Sequence, residues 1–130
     1  MAKKIPEFFV SFVRDYPACA AAYEALGAAS REAAGLSTRE TALVKLALAL
    51  GASLEGASHA HARRSLALGA SADELRGVAL SGLTTLGFPT TMRNLAWVED
   101  VVGSRKKGAK GGKGGKGEVA AKKMKKARKA

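Results

Sequence analysis

The sequence predicts an all-α protein. Three observations carry that prediction. The chain before about residue 103 is rich in Ala, Leu, Arg and Glu, the residues that lose least on entering a helix. No stretch alternates apolar and polar side chains as a half-buried strand would. Two segments, "STRE" at Ser37–Glu40 and "SADE" at Ser71–Glu74, have the serine and glutamate spacing of a capping box, a helix-start signal.

The elements follow in order. Pro6 opens a short helix to about Asp15, and Pro17 stands in the first turn of a second that runs to about Ala34. Gly35 ends it, and Ser37 caps a third over about 38–50. That third helix is apolar on nearly every side, which predicts burial in the domain centre or between subunits. A fourth covers about 54–68 and stops at Gly69. Ser71 starts a fifth that reaches about Leu86, "GFPT" at 87–90 breaks the chain, and a last helix spans about 90–102. The pattern G-x-S-x-x-E recurs at Gly35 and Gly69, and it reads as a helix stop followed by a helix start. It is not a repeat array, which needs about three units.

Charge divides the chain in two. Residues 1–103 hold 10 basic and 10 acidic side chains, so all of the net +11 lies in the last 27 residues. The expected organisation is therefore a helical domain at 1–103 and a disordered Lys/Gly-rich tail at 104–130. Lys106, Lys107, Lys110, Lys113, Lys116, Lys122, Lys123, Lys125 and Lys126 are the tail's candidate contacts to nucleic acid or another polyanion. The tail has no aromatic residue, so base stacking and sequence readout are not expected.

Cys19 is the only cysteine, which excludes an intrachain disulfide, a CxxC pair and a cysteine zinc cluster. Residues 2–20 have the outline of a secretion signal, but Glu7, Arg14 and Asp15 interrupt the apolar run. The longest apolar stretch, Ala42–Leu54, contains Lys45 and is too short for a bilayer. The expectation is a soluble cytoplasmic protein with no membrane partner.

"EGASHAHARRSLALG", residues 55–69, holds both histidines. On a helix, Glu55, His59 and Arg63 share one face, while His61 points away from His59 beside Leu54, Ala57, Ser65 and Leu68. Two histidines two residues apart on a helix cannot grip one ion, and no third exists, so no metal is expected. Either imidazole suits acid/base work near neutral pH, with Glu55 able to hold the His59 ring in one tautomer. Arg63, Arg64 and Arg39, and also Arg93, are candidates to pair with a substrate carboxylate. Nothing suggests a nucleotide or flavin, and no cofactor is expected.

Residues 36–102 resemble the carboxymuconolactone decarboxylase family, which includes the alkylhydroperoxidase D-like proteins. The stretches that carry this are "GLSTRETALVKLALALG", "HARRSLALGASADEL" and "LTTLGFPTTMRNLAWVEDV", with His61, Ser65, Gly69 and Glu74 in the family arrangement. The resemblance implies an alkylhydroperoxidase D-like bundle of about six helices, assembled as a homo-oligomer, a trimer or a hexamer. It favours His61 over His59 as the acid/base residue, in a small cofactor-independent enzyme acting on an acidic or carbonyl substrate. In the hydroperoxidase branch the two cysteines would fall at Leu54 and Ala57, and the relay glutamate at Ala42. All three are replaced here, which disfavours dithiol peroxidase chemistry. The decarboxylase branch has an acid shortly before the family histidine. Here Glu55 stands six residues before His61, a displaced match.

Overall fold

The structure, a computed structural model, describes residues 6–106. Among them there are seven helical segments and no strand, so the predicted all-α class is correct. The segments are α1 (Glu7–Asp15), α2 (Pro17–Ala34), α3 (Thr38–Gly51), α4 (Glu55–Ala67), α5 (Ala72–Leu80), the single turn α6 (Leu83–Leu86) and α7 (Phe88–Lys106).

Both predicted capping boxes form. The Ser37 hydroxyl accepts from the Glu40 amide at 3.1 Å, and the Glu40 carboxylate accepts from the Ser37 amide at 2.8 Å. Ser71 and Glu74 repeat the arrangement at 3.0 and 2.7 Å. Each box satisfies two backbone groups at its helix start that would otherwise lack partners.

The α3–α4 hairpin organises the domain. Ala52, Ser53 and Leu54 reverse the chain, with Ser53 in the left-handed region at φ 59°. α4 turns small side chains toward the interior. Ser58, Ala62 and Ser65 are buried at a spacing of four and three, which keeps one face of the helix thin. α7 packs across α4 and α5. The core these elements share is Leu46 and Leu50 from α3, Ala62 from α4, Ala70, Leu75 and Ala79 around α5, and Val98, Val101 and Val102 from α7.

Three boundaries differ from the sequence expectation. The helix expected from Ser71 to Leu86 stops at Leu80, and the chain restarts as α6 after Gly82. A side chain at 82 would come within 3.0 Å of Leu86 Cδ1 and 3.3 Å of the Ala79 carbonyl, so any residue larger than glycine has to push these neighbours aside at the bend. α7 begins at Phe88 and not at 90, because Pro89 occupies the first turn, where no backbone donor is needed. α7 also continues past 102 to Lys106.

α3 is not enclosed on all sides within one chain. Ala42, Leu46, Ala49 and Leu50 are buried, but Val44 is 44% exposed and Leu48 65%. α1 and α2 pair with each other as a hairpin in which neither helix has a buried residue. Phe8, Phe9, Tyr23 and Leu26 are all exposed on it.

Candidate functional site

The two histidines of α4 have different surroundings, as their opposite faces require. His59 points at α7, where its Nε2 lies 3.1 Å from Asp100 Oδ2. It therefore pairs with a residue 41 positions away, and Glu55 stands exposed one turn before it. His61 is half-buried on the other side of the helix. Burial holds its pKa below the ordinary 6.5, and the nearby Lys45 ammonium lowers it further. The ring is thus neutral at physiological pH. The His61 carbonyl accepts from the buried Ser65 hydroxyl at 2.9 Å, so that hydroxyl is satisfied inside its own helix.

Lys45 also lines a cavity of about 830 Å³ between the α1–α2 hairpin and α3. Phe9, Phe12 and Tyr23 supply apolar wall, while Arg31, Glu24 and Lys45 bring charge to it. A lysine in the middle of an apolar helix thus faces a cavity on one hand and a half-buried imidazole on the other. Sequence reasoning passed over this residue, although a single cation interrupting the run 42–54 was the signal.

The remaining predicted site residues lie in several places. Arg39 hydrogen-bonds the Glu74 carboxylate, joining the N-terminus of α3 to that of α5. The Arg39 guanidinium and the Ser71 cap hold the Glu74 carboxyl below the usual range. Arg63 and Arg64 are exposed on α4 and do not line the cavity beside Lys45. Arg93 lies over the Trp97 ring at 4.6 Å and donates to Asn94 Oδ1 at 3.1 Å. Of the four residues in the family arrangement, Ser65, Gly69 and Glu74 are engaged in scaffold contacts. Gly69 adopts φ 91° at the end of α4, a conformation that strains any side chain. Only His61 presents free chemistry. Lys106 closes the backbone of α7, and the other tail lysines lie outside the described residues.

The positions of the peroxidase thiols offer none. Leu54 precedes α4 and is exposed, Ala57 is half-buried, and Ala42 is buried in α3. Cys19 is exposed on α2. Among the described residues no three His, Cys, Asp or Glu side chains are placed to hold a metal ion, and no helix is long and apolar enough to cross a membrane.

The family model for the carboxymuconolactone decarboxylase family matches residues 17–100. The chain belongs to that family. The match takes in α2 through most of α7 and therefore both histidines, Lys45 and the two capping boxes. No curated protein and no solved structure matches the chain.

Proposed function

We propose that the protein is a cofactor-independent enzyme that moves a proton at His61 on an acidic or carbonyl substrate. The observation that carries this reading is the half-buried His61 close enough to Lys45 to feel its charge, with Lys45, though not His61 itself, in the wall of the cavity under the α1–α2 hairpin. A neutral imidazole accepts a proton before it gives one, so the favoured order is base first. His61 takes the proton beside a substrate carbonyl, and the developing enolate is stabilised by the Lys45 ammonium. The imidazolium, disfavoured by burial and by the same ammonium, then returns the proton to another carbon. That sequence is an isomerisation. In a decarboxylation the departing CO2 leaves its electron pair on the carbon, and the proton delivered there is one that His61 has first taken up from solvent water. Arg31 and Lys45 are the cations able to hold a substrate carboxylate. Arg63 and Arg64 remain the exposed alternatives on α4, and His59, paired with Asp100 and one turn from Glu55, the second acid/base candidate.

The active form in this reading is a homo-oligomer, a trimer or a hexamer, working in the cytoplasm. Support comes from the α1–α2 hairpin, where Phe8 is 86% exposed amid other uncovered aromatic rings. The test is proton exchange in D2O followed by NMR, over a panel of unsaturated carboxylated lactones that includes carboxymuconolactone. His61→Gln is expected to lower the exchange or turnover found by about a hundredfold or more, and His59→Gln to change it little. Undiminished turnover in His61→Gln removes His61 from the mechanism.

A second reading rests on the charge distribution. The tail carries 12 Lys or Arg against the single acid Glu118. In this reading it binds DNA, RNA or another polyanion through phosphate contacts, and oligomerisation multiplies the attachment. Residues 1–103 that bind DNA as well as the full chain in about 0.1 M salt would refute it.

A further inference from the structure

A second cavity, of about 600 Å³, opens between α3, α5, α6 and α7. His61 and Lys45 are not part of its wall. Val44, Leu48, Leu50, Val78 and Leu86 make it apolar, and no ionisable side chain lines it. Its volume lies in the range of sites for small organic molecules.

One polar side chain in its wall is in an unusual state. Asn94 on α7 is only 1% exposed. Its Oδ1 accepts from Arg93 Nη2 at 3.1 Å and from Arg93 Nε at 3.4 Å. Those two donors fix which end of the amide is oxygen, since turning it over would set nitrogen against nitrogen. The amide nitrogen is left without a partner, and among the described residues it is the one buried side-chain polar atom in that state. The neighbouring buried polar groups do not share it. Thr91 donates to the Gly87 carbonyl at 2.9 Å, Ser58 to Leu54 at 2.8 Å and Ser65 to His61 at 2.9 Å. Ser81, also in the cavity wall, donates to Gly77 at 2.8 Å. A buried donor without an acceptor costs about 1–3 kcal/mol, and native folds keep few of them.

We propose that this cavity binds a neutral, mainly apolar molecule carrying one carbonyl-type oxygen, which accepts a hydrogen bond from Asn94 Nδ2. The apolar wall takes the body of the ligand, and the orphan amide proton fixes its oxygen. A carboxylate is excluded because the wall offers it no countercharge. The site is independent of the His61 reading and stands whether or not that chemistry is found.

The test uses the full chain and the naphthyl ketone dye Prodan, whose emission responds to hydrogen bonding at its single carbonyl. Dimethylaminonaphthalene, which lacks the carbonyl, is the control. Saturable Prodan binding is expected, about tenfold tighter than the control, as one additional hydrogen bond allows. Asn94→Leu should remove that tenfold preference and move the bound emission further to the blue. Ala47→Trp, which fills the cavity and leaves Asn94 untouched, should abolish binding of both molecules. Equal affinity for ketone and control in the parent chain overturns the proposal without any variant. So does Prodan binding that Ala47→Trp leaves intact, or the absence of saturable binding. A change in the mass of the assembly when Prodan is added would identify the cavity as a contact between copies, and would equally overturn it.

Discussion

Two leucines two residues apart on α3 test how the fold is held. Leu46 is 0% exposed at the centre of the core, and Leu48 is 65% exposed at the edge of the 600 Å³ cavity. Leu→Ala removes three carbons, worth about 0.8 kcal/mol each when fully buried. For Leu46 that is about 2.4 kcal/mol, and the unfilled hole raises the loss to about 3–5 kcal/mol. For Leu48 only about a third of the side chain is covered, so the loss is under about 1 kcal/mol. The assay is urea unfolding followed by circular dichroism at two protein concentrations tenfold apart. With a slope of about 1.5 kcal/mol/M, Leu46→Ala should lower the midpoint by about 2 M or more, and Leu48→Ala by about 0.5 M. The Leu48→Ala increment should be the same at both concentrations. A loss at Leu46 below about 1 kcal/mol refutes the core assignment. A loss at Leu48 equal to that at Leu46, and growing with dilution, would mean that another copy shelters this face of α3.

Three further outcomes follow from single residues. Ser71→Ala removes the hydroxyl that caps α5 and should cost about 1 kcal/mol by the same unfolding assay. Ser53→Gly relieves a left-handed backbone at φ 59° and should raise the melting temperature by a few degrees, about 0.5–1 kcal/mol. The third concerns pH. The unfolded His61 ring binds its proton near 6.5 and the folded ring only at lower pH. Between those two values the unfolded chain holds more protons, so stability falls as pH drops from about 6.5 through the folded pKa, then levels off. Lys45→Met should move the imidazole titration seen by NMR up toward 6.5 without reaching it, since burial remains the larger cause. A titration that stays put or moves down would contradict the role given to Lys45.

Local chemistry made most of the fold legible. Serine–glutamate pairs, proline at helix starts and glycine at helix ends act within one turn, and each boundary they predicted lies within a few residues of its place. The break at Ser81–Gly82 was missed because it depends on Leu86 and Ala79 folding back over Gly82, a contact with no periodic signature. The apolar pattern of α3 predicts burial in the domain centre or between subunits, and one chain supplies cover for only one side. The candidate site was legible in part. The helical wheel correctly set His59 and His61 on different faces. It could not show that His59 would meet Asp100, since 41 residues separate them. Nor could it show Asn94 with half of its amide unpartnered, because that state depends on Arg93 turning inward beside it.

The Arg39–Glu74 contact has a dynamic consequence. Glu74 caps its own helix and at the same time holds the arginine two residues past the Ser37 cap. Loosening either helix start therefore removes one exposed contact from the other. Amide hydrogens near 40 and 74 should then exchange with solvent at a common rate, as one opening unit. Only below the ordinary carboxylate range, where the Arg39 guanidinium and the Ser71 cap no longer keep the Glu74 carboxylate ionised, should both speed up together.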